Sequence, residues 1–223
     1  MRPWTISAIV FLFLCTSSAE AQLLVEQGKV RLTVSPDKTI INQVVVHNTT
    51  KNAVKVKAYW EDFIYTPPYN GEKDFFPAGT GKFSCAQWVN FLPREFTIPP
   101  YGRQNIDYTF RVPPDARGGY YGVLFLESSG DTEMPPGVTR GINIVTRVGA
   151  LFFLETKNKD KTCEITVSRA EKEGISGKFL NKGNVFLLPQ GVYYLLNQEG
   201  IVVDRGELSR GYTVPGAEWD FLI

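Results

Sequence analysis

Few side chains in this sequence are placed to do chemistry. His47 is the only histidine among the 223 residues, and it closes a β-branched run just before a polar turn. A structural or surface role suits that position better than a catalytic triad. No Gly-x-Ser-x-Gly elbow, His-x-x-x-His pair or Cys-x-x-Cys occurs, so the commonest hydrolase and zinc signatures are missing. Glu61-Asp62, Asp74 and Asp131-x-Glu133 have calcium-binding chemistry, but their spacing matches no calcium-loop template, and they read as solvated loop acids. Carboxylate pairs of the glycosidase kind are assembled by a fold rather than by local spacing, and nothing along the chain points to one. The expectation is a protein that is not an enzyme and carries no cofactor and no metal site. Asn48-Thr49-Thr50 spells a glycosylation sequon, which matters only in a source that glycosylates; as a strand-end turn it needs no such role.

Two other groups point to binding. The sharper is Ile142-Asn143-Ile144, with Arg140 and Arg147 on either side. The second is the aromatic set Tyr65, Tyr69, Phe75 and Phe76 in the irregular stretch from Phe63 to Ser84, read as a long loop or a loop with a short edge strand. Exposed rings there would stack on sugars or fill a partner's pocket. Equally, Phe75 and Phe76 would cap the end of a sandwich.

The elements that must carry these groups are strands. In Ile106, Tyr108, Phe110 and Val112 every second residue is apolar, with Asp107, Thr109 and Arg111 between them. Period two means one buried and one wet face. Pro99-Pro100 and Pro113-Pro114 punctuate the run, and a second apolar run, Tyr120 to Leu126, follows. These two runs are expected to be neighbouring antiparallel strands. Val30, Leu32 and Val34 alternate with polar residues, as do Val54, Val56, Ala58 and Trp60. Ile40 to His47 reads as a strand buried on both faces or nearly so. Further strands are expected at Val148–Leu154, Cys163–Val167, Ile175–Leu180, Val192–Leu196, Ile201–Val203 and from Trp219 onward. No stretch has helical periodicity. Short strands at regular spacing with turn signals between them predict an all-β fold of sandwiches.

Residues 1–21 are read as a secretory signal peptide: Arg2, an apolar run from Ile6 to Cys15, then Ala19-Glu20-Ala21. The run is too short to span a membrane, so the mature chain, starting at Gln22, is expected to have no span and to act in the periplasm or at the cell surface. Bulky Leu14 argues against Cys15 as a lipoprotein cysteine. Residues 22–155 are expected to form one immunoglobulin-like domain. The charged segment 156–161 would be a hinge and 162–223 a second domain. The second is short or incomplete against ~100 residues for a full sandwich. Cys85 and Cys163 fall in different domains, so a bridge would cross the hinge, and two unpaired buried thiols are at least as plausible. With 24 basic and 23 acidic residues and no basic stripe, nucleic acid and anionic membrane are poor partners.

The order of these signals resembles the periplasmic pilus-chaperone (PapD-like) superfamily of two-domain immunoglobulin-like proteins. The resemblance rests on Val44-Val-Val-His-Asn48, Val54-x-Val56, Trp88 to Pro93 and Ile98-Pro-Pro-x-Gly102. Pro113-x-Asp115 through Gly119-Tyr-Tyr121, Ile142-x-Ile144 and Asn181-x-Gly183-Asn184 complete it. Asp115-x-x-Gly118-x-Tyr120 is similar to the tyrosine corner of such sandwiches. The resemblance implies a non-enzymatic chaperone-like or assembly protein whose partner is a surface or pilus-like subunit. Ile142 and Ile144 would lend side chains to that subunit by strand addition, and Arg147 would hold its terminal carboxylate as a bidentate pair. The competing reading, favoured by how ordinary alternation is, packs Ile142 and Ile144 into the chain's own core. Chaperones of this kind carry an arginine motif in the first strand; Lys29 and Arg31 lie there with no flanking motif to match. Gly118-Gly-Tyr-Tyr-Gly122 also resembles surface proteins that bind wall polymer, so the alternative is an adhesin or polysaccharide-binding module that uses residues 65–76.

Overall fold

The computed structural model describes residues 22–129, 145–171 and 174–223. The signal-peptide reading of 1–21, and Arg140, Ile142 and Ile144, lie outside the described residues. Every regular element among the described residues is a strand.

The first ten strands make two facing sheets. One holds β1 (Leu23–Val25), β3 (Thr39–Asn48), β8 (Arg103–Arg111) and β6 (Val89–Leu92) in the order β1-β3-β8-β6. The other runs β2 (Lys29–Val34), β10 (Arg147–Thr156), β9 (Gly119–Ser129), β4 (Val54–Tyr65), β5 (Lys73–Pro77), with β7 (Glu95–Ile98) also on β4. The alternation that marked β8 decides its burial. Ile106, Tyr108, Phe110 and Val112 are all buried while Asp107 and Arg111 are exposed. Their rings meet those of the opposite sheet: Phe152 lies 5.1 Å from Tyr108 and 5.1 Å from Trp60, edge-on or tilted, as aromatic quadrupoles prefer.

Two expectations are corrected here. β8 and β9 are not neighbours: β8 pairs with β3 and β6, and β9 with β4 and β10. The Pro113-Pro114 turn carries the chain across the end of the sandwich, so consecutive strands face each other through the core instead of sharing a ladder. The strand Ile40–His47 is buried on one face only, through Val44 and Val46, while Ile41 is 74% exposed. Its β-branched composition reflects propensity for a pleated surface and not double burial.

The last five strands make two further sheets: β11 (Cys163–Glu171), β12 (Gly174–Asn181) and β15 (Glu218–Leu222) in the order β11-β12-β15, and a hairpin of β13 (Val192–Leu196) with β14 (Val202–Glu207). Their own core is small, built on Phe179, Trp219 and Phe221. Much of their apolar surface is spent elsewhere. Phe186, Val214 and Ala217 pack on the outer face of the β2–β10–β9–β4–β5 sheet, against Phe63, Tyr65, Tyr121 and Phe153. That explains why β4 breaks its alternation at its end, with both Phe63 and Tyr65 buried on the face opposite Trp60. Backbone bonds bind the two bodies as well: the Gly119 N–H donates to the Asn184 carbonyl at 2.8 Å, and the Tyr212 N–H to the Tyr69 carbonyl at 2.9 Å. Gly118 sits at φ +80°, where a side chain's Cβ would fall 2.4 Å from the Asn184 oxygen.

One local device appears in both bodies. Asn48 ends β3 with its Nδ2 donating to the carbonyls of Asn52 (2.7 Å) and Pro99 (3.0 Å), while its Oδ1 accepts from the Thr50 N–H at 2.9 Å. Asn181 ends β12 with its Nδ2 donating to Val185 and Thr213 carbonyls (2.9 and 3.0 Å) and its Oδ1 accepting from the Gly183 N–H at 3.0 Å. Both side chains are buried and satisfied, so the sequon at Asn48 offers no free amide to a glycosyl donor. The tyrosine corner has its hydrogen bond too: the Tyr120 hydroxyl accepts from the Arg117 N–H at 3.2 Å. Cys85 is buried and Cys163 exposed, and both are free thiols, which corrects the reading of two buried ones.

Candidate binding edge and cleft

β10 has β9 along its whole length on one side, from Arg147↔Glu127 to Glu155↔Gly119. On its other side β2 runs parallel to it and begins only at Leu151↔Lys29. Residues 147–150 therefore have no strand hydrogen-bonded to their outer side among the described residues. β1 precedes β2 in the chain and lies close to β10, but its ladder bonds go to β3 in the opposite sheet, so the outer backbone groups of 147–150 receive no ladder bonds from it. An open strand edge is a row of unpaired donors and acceptors, a template for another chain.

The lane ends at a group of cations. Lys29 Nζ and the Arg31 guanidinium lie over the Phe153 ring, 5.4 and 5.3 Å from its centroid, and Lys73 Nζ lies 4.9 Å from the centroid of Tyr65. None of the three forms an ion pair among the described residues. Burial lowers the Lys29 ammonium, and repulsion from Arg31 and Lys73 adds to it; burial lowers Lys73 as well. Arg31 also lines a cavity of about 420 Å³ between the two bodies, with Glu155, Cys163, Phe179 and Phe186. Mutually repelling, partly dehydrated cations with aromatic rings beneath them form a ready site for an anion.

Arg147, the described member of the sequence-stretch candidates around Ile142-x-Ile144, opens β10 at the far end of this lane. Its guanidinium stacks over Phe125 at 4.3 Å and donates to the Tyr59 hydroxyl at 3.4 Å. The Tyr59 hydroxyl donates in turn to Glu127 Oε2 at 3.0 Å. That hydrogen bond to Tyr59, and then the nearby Glu61 and Glu127 carboxylates, hold Arg147 above its ordinary range. Its charge is thus already answered by acids of its own sheet, and Lys29, Arg31 and Lys73 are better placed for an incoming carboxylate. Sequence reasoning noted Lys29 and Arg31 but had no signal for Lys73, which β5 brings beside them.

The segment 65–76 divides differently from the aromatic-loop expectation. Tyr65 belongs to β4 and is buried, stacked on Phe186 with centroids 5.1 Å apart. This is a correction: its ring is covered by the second body and cannot serve an exposed platform. Tyr69 is half-buried, and its carbonyl accepts the bond from Tyr212 described above. Phe75 and Phe76 lie on edge strand β5, 39% and 37% exposed, with Phe75 resting on Phe125 at 5.1 Å. The buried Asp62 carboxylate accepts from the Gly79 and Gly81 N–H groups and the Ser84 hydroxyl, which pins the chain that follows. Among the described residues no cluster of His, Cys, Asp and Glu is placed to hold a metal, and no helix is long and apolar enough to cross a membrane.

No protein-family model and no curated sequence matches the chain. Solved structures do. It is similar to a chain of the chaperone–tip adhesin complex of CFA/I fimbriae biogenesis, at TM-score 0.57 and 17% identity over 91% of this chain and 86% of that one. The class 5 fimbriae chaperone CfaA matches at TM-score 0.57 and 14% identity, over 90% and 86% of the two chains. The chain has the PapD-like chaperone fold. A third PapD-like match, from the Salmonella enterica SafA pilin–SafB chaperone complex, has TM-score 0.53 and 11% identity over 90% of this chain and 83% of that one. At such identities the likeness speaks for the fold, and it agrees with the two-body, all-β architecture read from the alternation of apolar residues.

Proposed function

We propose that this chain is an exported, non-enzymatic chaperone-like assembly protein acting outside the cytoplasm. Its partner is a surface or pilus-like subunit that pairs a strand with the open edge of β10. The reading takes 22–155 and 162–223 as two immunoglobulin-like units joined through 156–161. The observation that carries it is the lane along residues 147–150 ending at Lys29, Arg31 and Lys73. An extended segment filling that lane parallel to β10 would end its chain direction at Lys29, so a free C-terminal carboxylate would meet the cations of β2, with Lys73 adding its charge from farther off. An antiparallel segment would bring a cationic amino terminus to the same point and be repelled. The geometry therefore favours a parallel guest whose last residue is its anchor, with alternate apolar side chains entering the sheet. On this reading Arg140, Ile142, Ile144 and Arg147 remain partner-binding residues. That solved PapD-like neighbours are seen with a pilin or an adhesin supports a protein guest. The burial of Tyr65 and the partial burial of Tyr69 weigh against the polysaccharide alternative.

The test is a synthetic peptide of alternating apolar and polar residues, made with a free and with an amidated C-terminus, titrated against the mature chain. The free acid should bind at least about tenfold tighter, the worth of one charge-assisted contact. Arg31→Glu should erase the difference while leaving amide binding intact. Equal affinity of the two peptides for the unaltered chain would remove the carboxylate anchor, and no binding of either would remove the edge reading.

A further inference from the structure

Asn70-Gly71 is the one Asn-Gly pair in the sequence, and it sits in the turn between β4 and β5. The turn is tied at its base. The Thr66 N–H donates to the Glu72 carbonyl at 3.2 Å and the Tyr69 N–H to the Thr66 carbonyl at 2.8 Å. Tyr69 stands at φ 62°, where a side chain is strained, and Gly71 at φ 114°, which glycine alone adopts readily. Asn70 is exposed, and its Oδ1 accepts from the Glu72 N–H at 3.2 Å. Lys73 Nζ donates to the Gly71 carbonyl at 2.8 Å. The Gly71 N–H has no hydrogen-bond partner among the described residues.

We infer that this turn is a self-modifying site, in which Asn70 deamidates through a cyclic imide. A solvent base removes the Gly71 N–H proton, and the nitrogen attacks Asn70 Cγ. Negative charge then gathers on Oδ1, which the Glu72 N–H already faces, as a donor in an oxyanion hole does. The Lys73 ammonium, held at the Gly71 carbonyl, favours the amide anion, and glycine sets no Cβ beside the attacking nitrogen. The Cγ–Nδ2 bond breaks, and Nδ2 leaves as ammonia with a proton from water. Water then opens the ring. Opening at Cγ leaves an aspartate at position 70; opening at the main-chain carbonyl leaves an isoaspartate, with the main chain one methylene longer. Either product adds a carboxylate near Lys73. The longer chain also disturbs a contact with the second body, where the Tyr69 carbonyl accepts from the Tyr212 N–H and the Tyr212 ring lies 3.3 Å from where a Cβ on Gly71 would stand. Other asparagines lack this set: none precedes a glycine, and Asn48 and Asn181 are buried with their amides engaged.

Peptide mapping by mass spectrometry is the test, on the whole chain held at mildly alkaline pH both native and in denaturant. The native protein should convert amide to acid at position 70 at least as fast as the denatured chain. It should yield both aspartate and isoaspartate there and leave Asn48 and Asn181 unchanged. Lys73→Met should slow the native conversion about fivefold, the effect of a screened charge a few Å away, and hardly alter the denatured one. Added salt should slow the unaltered native protein in the same direction, with no substitution to disturb its fold. An Asn70 that stays an amide in the native protein after the denatured chain has converted overturns the inference. So does a native rate indifferent to both Lys73→Met and salt.

Discussion

The rings of Tyr65 and Phe186 stack with centroids 5.1 Å and planes 23° apart, one ring from strand β4 and the other from the turn region between β12 and β13. Phe153 lies 5.3 Å from Phe186 and Tyr212 4.9 Å from Tyr65, so one aromatic cluster joins the two bodies. The last five strands keep few large apolar residues for a core of their own, and this shared cluster fixes where they sit. Phe186→Ala should therefore cost about 3–5 kcal/mol, the usual loss for a buried aromatic. The cost should fall chiefly on the second body: in thermal unfolding the single mutant should show a separate early transition for residues 162–223. A double-mutant cycle with Tyr65→Leu should return a coupling of about 0.5–1.5 kcal/mol.

The Tyr65 phenol makes stability depend on alkali. Burial pushes its pKa up to about 12 from an ordinary 10.0, with the neighbouring Tyr212 adding to the rise. A group whose folded pKa is raised stabilises fully below its unfolded pKa and loses that contribution as pH rises through the folded one. Urea midpoints should thus hold steady up to about pH 10 and fall between there and about pH 12. Tyr65→Phe should flatten part of that fall.

Asn48 donates to carbonyls and accepts from an N–H, so neither an acid nor an apolar isostere can replace it. Asn48→Asp would aim a carboxylate at the Pro99 and Asn52 carbonyls. A loss of about 2–4 kcal/mol is expected in chemical denaturation. Asn181→Asp should cost a similar amount, because that side chain holds the same three kinds of bond. Mass spectrometry of protein made in a glycosylating host should find Asn48 unmodified.

The two thiols should differ in reactivity. Cys85 is fully buried, and burial, with Asp62 nearby, raises its pKa well above that of an ordinary thiol. A thiol reagent should modify exposed Cys163 in the native protein and reach Cys85 only after denaturant is added. Immediate reaction of both would contradict the packing of Cys85 behind the loop that Asp62 pins.

Gly118 should not accept a side chain. Gly118→Ala combines a left-handed backbone with a Cβ set against the Asn184 carbonyl. Loss of about 1–3 kcal/mol is expected, again chiefly as loosening of the second body. Gly79→Ala, also at positive φ but with open space around it, isolates the backbone term alone.

Alternation by itself determined that the chain is all-β, which residues of β8 and β4 face inward, and where most strands lie, because a pleated strand shows each side chain to one side or the other in strict turn. The ordered motifs around Asn48, Tyr120 and Asn181 pointed to the PapD-like arrangement, since each is a local hydrogen-bonding device readable over a few residues. Strand neighbours were not legible: β8 and β9 follow one another yet stand in opposite sheets, because pairing is set by how a turn crosses the sandwich and not by closeness in sequence. Nor was the fate of Tyr65 legible, since a ring that breaks the alternation looks like a loop residue until a second body is seen to bury it. The candidate site depended most on tertiary structure. Lys29 and Arg31 sit two residues apart on β2, where the open edge of β10 ends, but Lys73 is far along the chain and comes within electrostatic reach of Lys29 only because β5 closes on β4 and holds it over the Tyr65 ring.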